Sequence, residues 1–153
     1  LNRGETRRIP FDLEFHCQTG TRSGTSADQT AIGFLPSKGS VSNAHSLGLL
    51  NSTLGLSHIV SDAYGASYSA KGVAIRIYRN GSPMMILGGQ RLYGAGEQGG
   101  WYPVASPNQG WTKGPGDTDL YHEAFEAELE RIAGVEVKPG QILANVQVLI
   151  RVQ

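Results

Sequence analysis

The stretch "VQVLIRVQ" (Val146–Gln153) decides how the chain is read. Val146, Val148, Ile150 and Val152 alternate with Gln147, Leu149, Arg151 and Gln153. Successive side chains of a strand point to opposite faces, so this alternation predicts a β-strand with one apolar face and one largely polar face. The sequence stops on the last residue of that strand, and something must cover the apolar face.

Upstream, "IPFDLEFHC" (9–17) alternates in the same way. Phe11, Leu13 and Phe15 share one face and Asp12, Glu14 and His16 the other, the pattern of a half-buried strand. "AIGFL" (31–35) reads as a short strand closed by "PSKGS". In "GVAIRIYRNGSPMMILGG" (72–89), Val73, Ile75 and Ile77 alternate with Ala74, Arg76 and Tyr78. Asn80-Gly81 then supplies the positive φ that a tight hairpin turn requires, and "PMMIL" is expected to return as the second strand. Residues 40–70, rich in Ser, Gly, Asn and Ala, read as weak strands or loops. The stretch 88–120 holds many glycines, Pro103, Pro107, Pro115 and both tryptophans. It is too long for an ordinary connection and reads as an irregular excursion, with Trp101 and Trp111 tucked onto the core. "YHEAFEAELERIAG" (121–134) is ambiguous. Its Ala, Glu, Leu and Arg favour a helix, whereas Phe125, Ala127 and Leu129 set against Glu126, Glu128 and Glu130 fit a strand with a charged face. Many short strands between turn signals make an antiparallel β-sandwich the leading class.

Composition narrows the function. The 153 residues suit one domain with a real core. Acids and bases balance at 13 each, which lacks the basic excess that nucleic-acid binding needs. No apolar run approaches the ~18 residues that cross a bilayer, so no membrane insertion is expected. No signal peptide is visible, so the chain is either mature or has lost its start. Cys17 is the single cysteine. It is either a buried small hydrophobe or half of a disulfide whose partner lies outside this chain. With no CxxC and no His/Cys cluster, there is no pattern for a zinc site. "GAGEQG" (94–99) matches GxGxxG, but "GWYPVASP" follows where a dinucleotide site needs a helix. No GxSxG elbow or HExxH occurs, and His16, His45, His58 and His122 are scattered. The Glu126/Glu128/Glu130 set reads as a solvated face, and the sequons at Asn51 and Asn80 are common by chance. The sequence therefore gives no support for catalysis, a cofactor or a metal.

The final segment resembles the C-terminal signature of chaperone–usher pilins, the subunits of bacterial fimbriae. Gly140 is fourteenth from the end, as that family's glycine is, and Val146, Val148, Ile150 and Val152 supply its alternation. Val152 stands next to last, where the family usually has an aromatic. "IPFDLEFHC" is similar to the family's second strand, which ends in a cysteine. "GVAIRIYRNGSPM" is similar to its central hairpin, above all that of the pilin domain of two-domain tip adhesins. "AFEAELERIAGVEVKPGQ" sits where the family has a strand, a small loop and the glycine, which favours strand over helix there.

The resemblance implies an all-β, immunoglobulin-like sandwich that lacks its final strand and is completed by donor-strand addition. Residues 1–153 would form one pilin domain, its first strand missing upstream of residue 1, so that Cys17 has lost its disulfide partner. The implied function is that of a fimbrial subunit or tip-adhesin pilin domain in bacterial adhesion, with no enzymatic activity. The implied partners are a periplasmic chaperone, an outer-membrane usher and the N-terminal extension of a neighbouring subunit. The chain would pass through the periplasm to an extracellular fimbria. Val146, Val148, Ile150 and Val152 would face the groove, and Gln153 would be the true C-terminus held by the chaperone. Strands are expected near 9–17, 30–35, 72–79, 83–88, 122–131 and 142–152. The rival reading is a stand-alone carbohydrate-binding sandwich using Trp101, Tyr102 and Trp111 as sugar-stacking platforms.

Overall fold

The computed structural model describes residues 7–89, 95–106 and 111–153. It is built mostly of antiparallel strands, with one short helix. The strands are β1 (Arg8–Gln18), β2 (Thr30–Pro36), β3 (Gly55–Leu56), β4 (Val73–Arg79), β5 (Ser82–Pro83), β6 (Ile86–Leu87), β7 (Tyr102–Pro103), β8 (Trp111–Lys113), β9 (Thr118–Arg131) and β10 (Val146–Val152). Helix α1 (Lys38–Ser46) follows β2.

Two sheets face each other. One runs β1-β9-β4-β5, with β8 also on β9, and the other runs β10-β2-β7. The alternation read from the sequence fixes which side chains meet between them. Phe11, Phe15 and Cys17 of β1, Ile77 of β4 and Phe125 of β9 pack against Ile32 and Phe34 of β2. Phe125 is the hub, stacked on Phe11 at 5.4 Å and in edge contact with Phe34 at 5.4 Å. Alternation thus prevails over helix propensity at 121–134, because a strand there can bury Phe125 between two neighbours.

Four expectations need correction. The hairpin turn forms as read, with Asn80 and Gly81 at φ of 53° and 78°. Its return strand, however, stops at Pro83, and Ile86–Leu87 pairs with β3 instead of β4. The Met85 amide leaves the hairpin to bond the Tyr102 hydroxyl at 2.7 Å. Residues 38–46 are a helix, started by the Ser37 hydroxyl accepting from the Ser40 amide at 3.1 Å. The closing strand begins at Val146, not 142. Glu128 is buried on the face expected to be solvated.

A second, smaller core lies on the far side of the β10-β2-β7 sheet, made of Ala31, Leu35, Leu87 and Trp101. Gly33 permits this close approach, since a Cβ there would stand 2.4 Å from Leu87 Cδ1. A buried ion pair ties the two sheets together along one side. Arg79 of β4 lies 3.1 Å from Glu123 of β9 and donates to the carbonyls of Pro103 at 2.6 Å and Val104 at 3.1 Å. Glu123 also accepts from the Ser106 amide at 2.8 Å.

Candidate functional site

β10 pairs with β2 along its whole length, with Val148 opposite Phe34 and Ile150 opposite Ile32. Directly opposite residues share a face. Phe34 and Ile32 belong to the core between the sheets, so Val146, Val148, Ile150 and Val152 point to the core side as well. Val146 packs against that core, whereas Val148, Ile150 and Val152 remain 40%, 49% and 65% exposed. On the other face, Leu149 packs against the Trp101 cluster, and the Arg151 guanidinium stands 5.9 Å from the Trp101 ring centroid.

The exposure has a topological cause. Among the described residues, β10 has a strand partner on one edge only, and so does β1. Arg79 bonds the Pro103 and Val104 carbonyls, which sets β4 over β7, and Phe125 over Phe34 sets β9 over β2. The two unpaired edges, β1 and β10, therefore fall on the same side of the sandwich. On that side Phe11 and Leu13 of β1 and Val148, Ile150 and Val152 of β10 all turn toward the space between the sheets. Ile9, on the core-facing side of β1, is 61% exposed. The Thr30 amide bonds the Arg22 carbonyl at 2.6 Å, which brings the end of β1 toward the start of β2. β1 thus runs parallel to β10, with Ile9 at the Val146 end. A cleft of about 760 Å³ lies at the Val146 end of β10, lined by Leu35, Val41, Gly88, Asn145, Val146 and Gln147 among others and by no residue of β1.

Both ends of β10 are fastened. Before it, the Asn145 amide and side chain donate to Asp62 Oδ2 at 3.1 and 2.9 Å, while Ser37 donates to Oδ1 at 2.7 Å. After it, the Gln153 amide bonds the Gln29 carbonyl at 2.8 Å, and the Gln153 carbonyl accepts from the Asp28 amide at 3.0 Å. Gly140 lies where its backbone runs against Ser69 and Ala70, and a Cβ there would stand 2.4 Å from the Ala70 nitrogen. Cys17 is buried at the end of β1, and burial, with Asp119 adding, pushes its thiol up.

Sequence spacing missed a polar series on the outer face of the β1-β9-β4 sheet. Ser57 Oγ lies 2.8 Å from His58 Nδ1, His58 Nε2 lies 2.9 Å from Glu130 Oε1, and the Tyr78 hydroxyl donates to Glu130 Oε2 at 2.6 Å. The Glu130 hydrogen bond, with burial adding, pushes the Tyr78 phenol up to about 12. Burial opposes ionisation of Glu130, but hydrogen bonds from Tyr78 and His58, with the nearby His58 and Arg76, outweigh it and hold the carboxyl below its usual range. Serine, histidine and carboxylate stand in series here, yet both carboxylate oxygens are engaged and Ser57 also approaches the Leu49 carbonyl at 3.4 Å. The series fastens the residues before β4 to the sheet.

The rival sugar platform loses its central ring. Trp101 is fully buried, with Arg151 over it, and Tyr102 is half-buried with its hydroxyl taken by Met85. The Trp111 side chain lies outside the described residues. Among the described residues, no group of three or more His, Cys, Asp and Glu side chains could hold a metal ion, and no helix is long and apolar enough to cross a membrane.

The family model described as "Fimbrial protein" matches residues 1–153. The chain belongs to the fimbrial protein family. It is a pilus subunit, and as such it assembles with other pilin subunits into an extracellular fibre. No curated protein matches it.

Proposed function

We propose that this pilin domain assembles by donor-strand complementation. The observation that carries the reading is the exposure of Val148, Ile150 and Val152 on the core-facing side of a strand that, among the described residues, is paired on one edge only. An extended segment entering the groove pairs with free backbone groups for affinity and sends alternate apolar side chains inward for register. A periplasmic chaperone supplies that segment first. At the outer-membrane usher, the N-terminal extension of the neighbouring subunit replaces it. Val146 lines the base of the groove, Val148, Ile150 and Val152 form its wall, and Gln153, tied to Asp28 and Gln29, fixes the register at the far end.

Three side chains, each about half exposed, forfeit about 2–5 kcal/mol of apolar burial, at ~1.5–3 kcal/mol for a fully buried one. That is a large part of the ~5–15 kcal/mol that holds a domain together, before any cost of unpaired edges. The empty domain is therefore weakly stable, and filling the groove completes its core. The role is structural and adhesive, as a subunit or as the pilin domain of a tip adhesin, with no reaction catalysed. Cys17 pairs with a cysteine outside this sequence, on a strand preceding β1.

A synthetic peptide with apolar residues at alternate positions tests the reading. It should raise the unfolding temperature of the domain in a concentration-dependent way, as any ligand of the folded state does. A scrambled peptide that breaks the alternation should not. Equal stabilisation by both peptides would count against strand addition.

A further inference from the structure

Val146, the first residue of β10, stands opposite Pro36, the last of β2. Proline brings no amide hydrogen to a ladder, so the β10-β2 pairing is poorest in donors at this end. The fastening comes from Asp62. Its Oδ2 accepts from the amide and the side chain of Asn145 at 3.1 and 2.9 Å. Its Oδ1 accepts from the Ser37 hydroxyl at 2.7 Å, and that hydroxyl also caps α1 by accepting from the Ser40 amide. The Ser61 hydroxyl and the Asp62 amide both donate to the Leu143 carbonyl, at 3.1 and 2.8 Å. The run 59–62 is itself fixed. Ile59 and Ile75 of β4 exchange two backbone bonds of 2.8 Å, the Ser40 hydroxyl donates to the Val60 carbonyl at 2.7 Å, and Ile59, Val60 and Ser61 are buried. β4 belongs to the sheet that faces β10. A continuous series of bonds therefore runs from β4 through residues 59–62 to the residue that precedes β10, and the Asp62 carboxylate is its last link.

We propose that Asp62 is a positioning residue for strand addition, holding the start of β10 at a set distance from the facing sheet and so fixing the gap beside β10 that an added strand enters. This rests on the donor-strand reading of β10. An added strand that slips by two residues keeps its apolar face inward, so alternation alone does not choose between such registers. A gap of one width does choose, because the inward side chains fit it at one depth. A gap already set also costs no ordering when the strand arrives. Asn145 is exposed, so water replaces the carboxylate as its partner when Asp62 is lost. Removing Asp62 therefore loosens this end of β10 while the domain still folds.

The test uses the whole chain and a synthetic peptide with apolar residues at alternate positions and a photoreactive side chain at one end. Association is measured on the folded fraction, and the cross-linked position on the chain is mapped by mass spectrometry. The parent should cross-link at one position. Asp62→Ala should associate about fivefold more slowly and cross-link at positions two residues apart, the mark of slipped registers. Ser37→Ala is the control. It removes the α1 cap and lowers the melting temperature, but it leaves Asp62 on Asn145, so it should keep a single cross-link and an association rate within about twofold of the parent. A single cross-link and parental association in Asp62→Ala overturn the positioning role and leave the donor-strand reading intact. The same is true if Ser37→Ala spreads its cross-links as widely as Asp62→Ala, since general loosening then explains both. A parent chain that does not bind the peptide overturns the role and the reading together.

Discussion

Ile150 and Ile32 stand directly opposite each other on β10 and β2 and point to the same side of the sheet, yet Ile32 is fully buried and Ile150 is 49% exposed. The two side chains have the same chemistry and the same face. What differs is the number of neighbouring strands. β2 lies between β10 and β7, whereas beyond β10 no further strand is found among the described residues. The exposure of Ile150 therefore belongs to the edge of the sheet, and an added strand removes it.

Gly140 faces a backbone, not a side chain, at its point of closest approach. A Cβ there would meet the Ala70 nitrogen at 2.4 Å and the Ser69 carbonyl carbon at 2.5 Å, and neither can rotate away. Gly140→Ala should cost about 1–3 kcal/mol, the usual range for forcing extra volume into a packed site. Urea unfolding of the peptide-filled domain measures it. An unchanged midpoint would mean that the segment before β10 shifts freely.

Glu123 and Arg79 form a buried pair that also holds the Pro103, Val104 and Ser106 backbone. Glu123→Ala leaves the guanidinium buried without its counter-charge and should destabilise the domain by about 3–5 kcal/mol. Replacing both residues by apolar ones of similar size should cost much less, because the desolvated charge goes with its partner. Denaturant unfolding of the single and double variants distinguishes the two cases.

Glu130 gives the domain an acid-sensitive fastening. Its carboxyl is held below its usual value of about 4.5, so the folded state gains from it at neutral pH. That gain is lost as pH falls from the usual carboxylate range through the lowered folded value. Glu130→Gln should lower stability at pH 7 and flatten this part of the acid limb. Melting temperatures of parent and variant between pH 7 and pH 3 measure the difference, and parallel curves would show that Glu130 does not contribute.

Cys17 should be found oxidised in the native full-length subunit. Mass spectrometry of non-reduced peptides should recover Cys17 linked to a cysteine preceding Leu1. A free Cys17 thiol in that material would remove the disulfide from the account.

The parts of this fold legible in the sequence are those where burial follows alternation. β1, β2, β4 and β10 carry apolar residues at every second position over at least part of their length, and at 121–134 the same period outweighs a helix-forming composition because Phe125 needs neighbours on both sides. Helix α1 was not legible: "KGSVSNAHS" has few apolar residues and owes its start to the Ser37 cap, which is tied by side-chain bonding to Asp62. The end of the hairpin was not legible either, since it turns on the distant Tyr102 hydroxyl claiming the Met85 amide. At the groove, alternation gave the apolar face of β10 but not its exposure, which depends on what lies beside it. Glu128 shows the same limit from the other side. It is a charged residue on an outer face, buried because Arg8 comes from another strand to cover it.

The most direct test of strand addition at β10 is copurification of Ile150→Asp with the cognate chaperone, beside Gln147→Ala, which alters the opposite face. An aspartate at Ile150 puts an unpaired charge into an apolar groove, a cost that no neighbouring group in the groove relieves. Gln147→Ala should be captured like the parent, and Ile150→Asp should not be captured. Capture of Ile150→Asp at the parental level would show that β10 is not the assembly surface.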